Sequence, residues 1–547
     1  MRALRQTLAG IGAAPLVGLG VLLSLLALPF LTIVALAVSG LGTDALPSRI
    51  IARTLTETSL LLIGVATLTL VTGTATAWLV TMYRFPGRAL VDRLLVLPLA
   101  IPTYIVAYAY VELLDYSGPV QRSLRALMGY SSARDYWFPD IRSLGGGIFV
   151  MSAVLYPYVY LTARASFVQQ SVCVLEVART LGRTSLGAFG SVALPLARPA
   201  LTAGVALVLM ETLNDLGAAQ YLGINSLSVS IYSTWLQRGS LQGAAQIAMV
   251  ALVIVLVLLT LERYARSGGV QHTTGRMRAI PFQDLSGWRG LLALGASLLP
   301  VIIGLVVPVA MLLARALVHH ETLLTGAFWR AAANSVMLSL VAASICVAVA
   351  LTVAYARRIA RSPFMTTTGT AAGLGYALPG TILALGLLYP LAAFDNRVDA
   401  LLRTTLGISS GLLVSGGIGI VIFAYVIRFL SVSMASIDSG LDRLSPNLDA
   451  AARALGETAW SALLRVHVPL LVPALGAGAL LVFVDCMKEL PATLLLRPFD
   501  FDTLATHVYA LAALEQFEAA AVGALAIVAA GLLPLLLLHR AIAGGRV

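Results

Sequence analysis

The feature that most constrains this chain is a series of twelve long apolar stretches, each able to cross the hydrocarbon core of a membrane. A spanning helix needs about 20 mostly apolar residues, and hydrophobic side chains occupy 59% of the 547 positions. The stretches lack strand-like alternation, so a barrel is not expected. The sequence therefore predicts an all-α integral membrane protein. The predicted spans lie near residues 14–38, 59–83, 94–114, 144–167, 198–214, 244–262, 290–316, 331–356, 368–393, 409–432, 471–487 and 517–538.

Arginines cluster in alternate loops between these stretches. They follow the second, sixth and eighth spans, at Arg84, Arg88, Arg93, Arg263, Arg266, Arg276, Arg278, Arg357, Arg358 and Arg361. Because positive loops remain in the cytoplasm, these loops and both termini are predicted to be cytoplasmic. The net charge of +11 then reports membrane topology, and it is not accompanied by a nucleic-acid-binding signature.

One polar segment occurs twice, between the fourth and fifth spans and between the tenth and eleventh. An Arg-x-Leu-Gly sequence ends at Gly182 and recurs in the second half of the chain, ending at Gly456. Each copy leads, after the same interval, to a proline, Pro195 or Pro469. Two copies with one internal spacing indicate a duplication.

The duplication extends through the chain, since other landmarks recur in pairs at nearly the same offset, for example Pro102 and Pro379. Six spans per half is an even number, so the two halves have the same orientation and are related by a pseudo-twofold axis along the membrane normal. The predicted division is a first six-helix unit at 1–262, a cytoplasmic linker at 263–289 and a second six-helix unit at 290–547.

The repeated segment is suited to binding a partner in the cytoplasm. Residues 175–181 can form a short helix that places opposite charges, Glu176 and Arg179, on one rim. A glycine then allows the chain to reverse. In the second copy the acidic position holds Ala450, and Asp449 precedes it, so the acid that serves this copy is left open. The candidate contact residues are Glu176, Arg179, Gly182, Asp449, Arg453 and Gly456.

Carboxylates recur near the ends of the fifth and eleventh spans. Glu211 and Asp215 are four residues apart, as are Asp485 and Glu489, so each pair is predicted to share one helical face. Charges in hydrocarbon are costly unless they face a cavity or a partner, which favours a polar pathway. The alternative is that these groups cap outer helix ends in water. The candidate pathway residues are Glu211, Asn214, Asp215, Asp485, Lys488 and Glu489.

The repeated segments resemble the EAA loops of ABC importer permeases, the cytoplasmic coupling helices that fit clefts on ATP-hydrolysing subunits. The resemblance spans nearly the whole chain as two MetI-like units. It implies a bacterial inner-membrane permease, with two copies of an ABC ATPase subunit on its cytoplasmic side. It also implies a periplasmic or extracellular substrate-binding protein.

Nucleotide chemistry is assigned to the partner subunits. A Walker A loop needs a lysine after a glycine-rich turn, and the sole lysine, Lys488, follows no such turn. The chain is therefore predicted not to be an enzyme and to bind no cofactor, with ATP and Mg held by the ATPase. No catalytic constellation or certain metal site is identified.

Substrate identity depends on resemblance. Residues 488–506 and 211–217 are similar to the fused permeases of ferric-iron importers, which implies that Fe(III) is the cargo. Permeases for thiamine, polyamines, sulfate and phosphonate share the general plan. Two further alternatives are a twelve-helix secondary transporter driven by an ion gradient and a membrane scaffold without transport activity.

Overall fold

The computed structural model describes residues 13–40, 47–170, 184–267, 283–360, 375–445 and 447–544. Within these ranges the regular secondary structure is helical apart from one pair of two-residue strands. The first half contains α1 (Ala13–Ser39), α2 (Ser48–Met82), β1 (Tyr83–Arg84), α3 (Arg88–Leu94), α4 (Thr103–Leu114), α5 (Pro119–Met128), α6 (Leu144–Gln169), α7 (Ser185–Ala188), α8 (Leu194–Asn214), α9 (Gly217–Tyr221), α10 (Leu227–Leu236) and α11 (Leu241–Ser267).

The second half has a similar order of helices. It contains β2 (Gln283–Asp284), α12 (Gly287–Val301), α13 (Val307–Val318), α14 (Gly326–Ala360), α15 (Gly380–Leu406), α16 (Ile418–Asp442), α17 (Asn447–Ala454), α18 (Ala459–Ala462), α19 (Val468–Met487), α20 (Pro491–Leu496), α21 (Leu504–Ala513) and α22 (Phe517–Gly544). Short 3-10 segments lie at Leu97–Ala100 and His320–Leu324.

The duplication predicted from the sequence is visible in local geometry. A π-helical turn at Phe189–Ala193 joins α7 to α8, and a second at Leu463–His467, the equivalent position of the repeat, joins α18 to α19. Hydrogen bonds are duplicated as well. The Thr58 hydroxyl accepts the Leu227 amide at 3.1 Å, and the Ser335 hydroxyl accepts the Leu504 amide at 2.7 Å. The two halves are therefore copies at the level of single hydrogen bonds.

The halves interlock through their first helices. Helix α1 packs against α15 of the second half as well as α11, and α13 packs against α4 of the first half as well as α22. Gly386 on α15 permits the first crossing, since an added Cβ would lie 2.7 Å from the Pro29 Cα. Each of the two hydrophobic cores consequently draws side chains from both halves.

Eight helical segments of the described residues are long and apolar enough to cross a membrane, or nine if one bent pair counts as a single span. Three shorter apolar helices, Ser24–Ser39, Leu504–Ala513 and Phe517–Leu532, are also present. Each of the twelve predicted spans overlaps a helix, although the ninth, 368–393, begins outside the described residues. The all-α membrane fold is confirmed.

Two regions differ from the sequence-based boundaries. The third predicted span, 94–114, is not straight, because the chain bends by 93° where Pro102 precedes α4; a proline has no amide hydrogen to continue a helix. The predicted linker, 263–289, is partly structured, since α11 continues to Ser267 and β2 pairs in parallel with β1. The end of the linker is thereby tied to the first half.

Gly73 provides a test of the packing between α2 and α6. In Gly73→Val the new Cβ would lie 2.7 Å from the Val159 Cβ and 2.8 Å from the Tyr160 amide nitrogen. The helices would have to separate, and we expect a stability loss of about 1–3 kcal/mol, measured by thermal denaturation in detergent. Gly295→Val, where no atom lies within 4 Å, is the control. Equal melting temperatures would contradict the close packing.

Candidate functional site

All six candidate pathway residues line one cavity at the junction of the two halves. The cavity has a volume of about 90 Å³. Its lining includes Glu211, Asn214, Asp215, Asp485, Lys488 and Glu489, together with Thr103, Tyr104, Tyr158, Tyr376, Arg428, Leu490 and Pro491. The six residues singled out by their spacing in the sequence therefore lie together in the structure, and both halves contribute to the group.

The expected shared helical face is wrong for both acid pairs. Helix α8 ends at Asn214 and α19 ends at Met487, so the second acid of each pair lies beyond the helix. Asp215 accepts the Ala218 amide at 2.8 Å and Glu489 accepts the Ala492 amide at 3.0 Å. Each acid thus binds an otherwise unpaired amide at the start of the next short helix, α9 or α20.

The alternative interpretation placed these capping acids in water, but both are buried. Asp215 is 9% exposed and Glu489 is 4% exposed. Glu489 also accepts the Thr493 amide at 3.0 Å, the Thr493 hydroxyl at 2.7 Å and the Arg428 guanidinium at 3.0 Å. A buried carboxylate is stabilised only when it is paired and hydrogen-bonded, and Glu489 meets both conditions.

The other two acids face the cavity from α8 and α19. Glu211 accepts the Tyr376 hydroxyl at 2.8 Å, and Asp485 lies 3.0 Å from the Lys488 ammonium. Asn214 accepts the Gly380 amide at 2.8 Å. Glu211 and Asn214 belong to the first half, whereas Tyr376 and Gly380 belong to the second. Two hydrogen bonds therefore join the halves across the cavity.

Sequence reasoning missed Arg428 and the tyrosines of the cavity. Arg428 was detectable, because a charge inside an apolar span is costly and marks a functional or paired position. The tyrosines gave no signal, since their positions depend on how the halves dock. With Arg428 included, four carboxylates and two cationic side chains line the cavity. The cavity is acidic overall, and its two walls differ in charge.

Among the described residues, no group of three or more His, Cys, Asp or Glu side chains lies close enough to hold a metal ion. The carboxylates instead bond to amides, hydroxyls and cations of the protein. An entering ligand would therefore meet carboxylates that already have partners.

The second copy of the repeated polar segment, which was predicted to be cytoplasmic, is α17 and the turn after it. Gly456 has φ +81°, a left-handed conformation that favours glycine. Leu455 is 83% exposed and Trp460 is 59% exposed. This segment therefore presents exposed apolar side chains at a glycine-dependent turn. The first-copy residues Glu176, Arg179 and Gly182 lie outside the described residues.

Asp449 is directed into the fold. Its Oδ2 accepts Arg358 Nε at 2.8 Å, and its Oδ1 lies 3.0 Å from Nε2 of the buried His467. Arg453 Nε donates to the Asp449 carbonyl at 3.1 Å and is exposed. The acid of the second copy thus anchors α17 to α14 and to the π-helical turn, while the arginine remains at the surface.

This anchoring connects the second copy of the repeated segment to the cavity. His467 ends the π-helical turn, and α19 continues from it to the wall that carries Asp485. A continuous path of contacts therefore runs from α17 through Asp449, His467 and α19 to that wall.

Comparison with known proteins gives one family match and several relatives. Residues 69–264 match the family described as "Binding-protein-dependent transport system inner membrane component". An Fe(3+)-transport system permease protein of Haemophilus influenzae is 26% identical over 523 residues, covering 94% of this chain and 96% of that protein.

Two further relatives match only part of the chain. A sulfate transport system permease protein of Salmonella typhimurium is 31% identical over 198 residues, 34% of this chain and 66% of that protein. A molybdenum transport system permease protein of Escherichia coli is 24% identical over 194 residues, 34% of this chain and 81% of that protein. The similarity over nearly the full length is thus to a protein of similar length.

The buried pair of Arg428 and Glu489 provides a second test. Arg428→Met leaves a buried carboxylate without its counter-charge, and we expect a loss of about 3–5 kcal/mol. The double substitution Arg428→Met with Glu489→Gln is expected to recover most of it. The melting temperatures of both variants are measured by thermal denaturation in detergent. Arg84→Met is the control, because the side chains of Arg84 and its partner Asp284 are 68% and 74% exposed. A double variant no more stable than the single would contradict the pairing.

Proposed function

We propose that this chain, a multi-pass inner-membrane permease of the binding-protein-dependent ABC importers, forms the pathway through which ferric iron crosses the membrane. The observation that carries the proposal is the similarity to an Fe(3+)-transport permease over 94% of the chain. That alignment includes both halves and the cavity between them. The similarity to the sulfate permease covers about a third of the chain, so it supports the class of protein and not the cargo.

The charge of the cavity supports a cationic cargo. Four carboxylates and two cations line it, and a net negative, partly buried cavity attracts cations and repels a lone oxyanion. Carboxylate and hydroxyl oxygens also suit a hard trivalent cation. Thiamine and polyamines are cations too, so they remain competing substrates in the test.

The transport cycle that we propose is alternating access. A loaded binding protein delivers its cargo at the outer face, and two ATPase subunits hold the two repeated cytoplasmic segments, with ATP and Mg bound by those subunits. Closure of the ATPases displaces α17, and α19 carries the movement to the cavity wall. The hydrogen bonds from Tyr376 to Glu211 and from Gly380 to Asn214 then break, and the halves separate on one side.

Glu211 is the acid that we expect to matter most for transport. Glu211→Gln removes a charge from the cavity while keeping an acceptor for Tyr376, so we expect iron uptake to fall about tenfold, equivalent to about 1.4 kcal/mol. Uptake of ⁵⁵Fe is measured in proteoliposomes that contain the ATPase and binding protein, with ATP inside. Glu321→Gln, at an exposed position, is the control.

The same vesicles distinguish the competing functions. Uptake of labelled thiamine or spermidine without uptake of iron would overturn the choice of substrate. Uptake driven by an ion gradient, in vesicles without the ATPase, would overturn the importer mechanism.

Gly456 tests the coupling role of the second cytoplasmic segment. Gly456→Val forces a β-branched residue into a left-handed conformation, which costs about 1–2 kcal/mol and distorts the exposed turn. We expect weaker association with the ATPase and loss of cargo-stimulated ATP hydrolysis. Gly407→Val is a matched control, because Gly407 also follows a helix, with φ +68° and no atom within 4 Å of an added Cβ. Unchanged hydrolysis in Gly456→Val would contradict the coupling role.

A further inference from the structure

We propose that His467 is held as an imidazolium and that, in this form, it is the positioning residue that fastens α17 to α19. Movement of the second repeated segment then reaches the cavity wall only while one buried proton is in place. This inference rests on the proposed function, because it concerns how the same importer is coupled to its ATPase.

His467 has an acceptor facing each nitrogen of its ring. The residue is fully buried. Its Nδ1 lies 3.1 Å from the carbonyl oxygen of Ala462, the residue before the π-helical turn, and its Nε2 lies 3.0 Å from Asp449 Oδ1. Apart from this contact, Nε2 and Oδ1 have no hydrogen-bond partner among the described residues. Carbonyl and carboxylate oxygens only accept hydrogen bonds, so both contacts are satisfied only when both ring nitrogens carry a proton.

The carboxylate of Asp449 is shared between two cations. Arg358 Nε donates to its Oδ2 at 2.8 Å, which leaves Oδ1 for His467. The Arg358 guanidinium also donates to the Leu441 carbonyl at 2.6 Å and to the Ser445 carbonyl at 3.0 Å, at the carboxyl end of α16. That end of a helix carries a partial negative charge, which offsets the charge of Arg358. The repulsion between the guanidinium and an imidazolium is thereby reduced.

The aromatic ring beside His467 also favours the charged form. The ring centroid of Tyr355, on α14, lies 5.0 Å from that of His467, and an aromatic ring attracts a cation at this distance. Two other cations of these elements lie at the surface. Arg453 is exposed, and Arg465, whose side chain is 75% exposed, lies 3.0 Å from Glu457. Water screens such charges, so the buried surroundings of the ring decide its charge.

The first half has no equivalent of this link. The repeat aligns Asp449 with Leu175, which has no charge. It aligns His467 with Ala193, whose carbonyl accepts Gln170 Nε2 at 2.9 Å. That hydrogen bond joins two neutral groups and does not change with pH. The dependence on a proton therefore belongs to one of the two copies.

Loss of the proton breaks the link in either of two ways. If Nδ1 keeps its hydrogen, Nε2 presents a lone pair to Asp449 Oδ1, and two acceptors repel each other. If Nε2 keeps its hydrogen, Nδ1 presents a lone pair to the Ala462 carbonyl, and the bond to the π-helical turn is lost. In both cases α17 and the start of α19 are no longer joined through one ring.

The charge of the ring is measured by ¹⁵N NMR of the histidine-labelled permease in lipid nanodiscs. At about pH 7.5 an unpaired histidine is mostly neutral. The two nitrogens of an imidazolium have similar chemical shifts, whereas those of a neutral ring differ widely. His467→Gln identifies the signal of His467, which we expect in the imidazolium form. A neutral ring would overturn the proposal, whatever the cargo of the importer.

Two conservative variants test the positioning role in the permease assembled with its ATPase. The amide donor of glutamine can reach Asp449 in His467→Gln, whereas in His467→Asn the shorter side chain can reach only the Ala462 carbonyl. We expect His467→Asn to reduce ATP hydrolysis stimulated by Fe(III)-loaded binding protein about tenfold, and His467→Gln to retain most of it. His320→Gln, at an exposed position, is the control. Melting temperatures in detergent show whether each variant is folded.

A pH profile distinguishes the proton from a purely structural role. Stimulated hydrolysis is compared in the unsubstituted permease and in His467→Gln between about pH 6.5 and about pH 8.5. A contact that needs a proton is present at the lower pH and is lost as the pH rises, whereas glutamine has no such proton to lose. We expect the ratio of unsubstituted to variant hydrolysis to fall as the pH rises. A constant ratio would overturn the proton dependence.

The outcomes separate this inference from the proposed function. Stimulation by iron that is unchanged in His467→Asn would overturn the role of His467 and leave ferric-iron import intact. Stimulation by thiamine or spermidine but not by iron, lost in His467→Asn, would support the role of His467 and overturn iron as the cargo. If no loaded binding protein stimulates hydrolysis, both are overturned.

Discussion

The structure depends on how the backbone is satisfied where the long helices stop at the cavity. Helices α8 and α19 end inside the protein, and the short helices that follow begin with amides that have no partner in their own helix. In a low-dielectric interior each unsatisfied group is expensive. Asp215 and Glu489 supply the missing acceptors. The carboxylates are thus required by the architecture before any cargo is considered, and Arg428 is required in turn by Glu489.

The two walls of the cavity share a backbone plan and differ in chemistry. Both have an acid on the helix and a second acid at the next short helix, at equivalent positions of the repeat. In the first half, Glu211 is held by a hydroxyl from the opposite half. In the second half, Asp485 is held by Lys488 from its own. The hydrogen bonds of the first wall therefore respond to the distance between the halves, whereas the ion pairs of the second wall do not.

The sequence predicted the spans, the duplication and the six residues that meet at the cavity, because hydrophobic length and repeat spacing are properties of the chain alone. The predicted fifth and eleventh spans end at 214 and 487, as α8 and α19 do. The sequence did not predict that Asp215 and Glu489, just beyond those ends, bind amides of the next short helices. The contacts of Tyr376 and Gly380 could not be predicted either. They arise from docking of the halves, which repeat spacing does not encode. Arg428 could be recognised in the sequence as a charge in an apolar span, but its pairing with Glu489 could not.

The exchange of first helices has a consequence for synthesis of the chain. One hydrophobic core contains Leu26 near the beginning and Phe501 near the end, and the other extends from Leu61 to Val528. Neither core can close while the ribosome is still translating the eighth or ninth span. Until the second half is inserted, the packing surfaces of the nascent first half contact lipid or insertion factors. Because the halves are fused in one polypeptide, the second half is made next to the first and in a ratio of one to one. Assembly therefore does not depend on the encounter of two separate proteins.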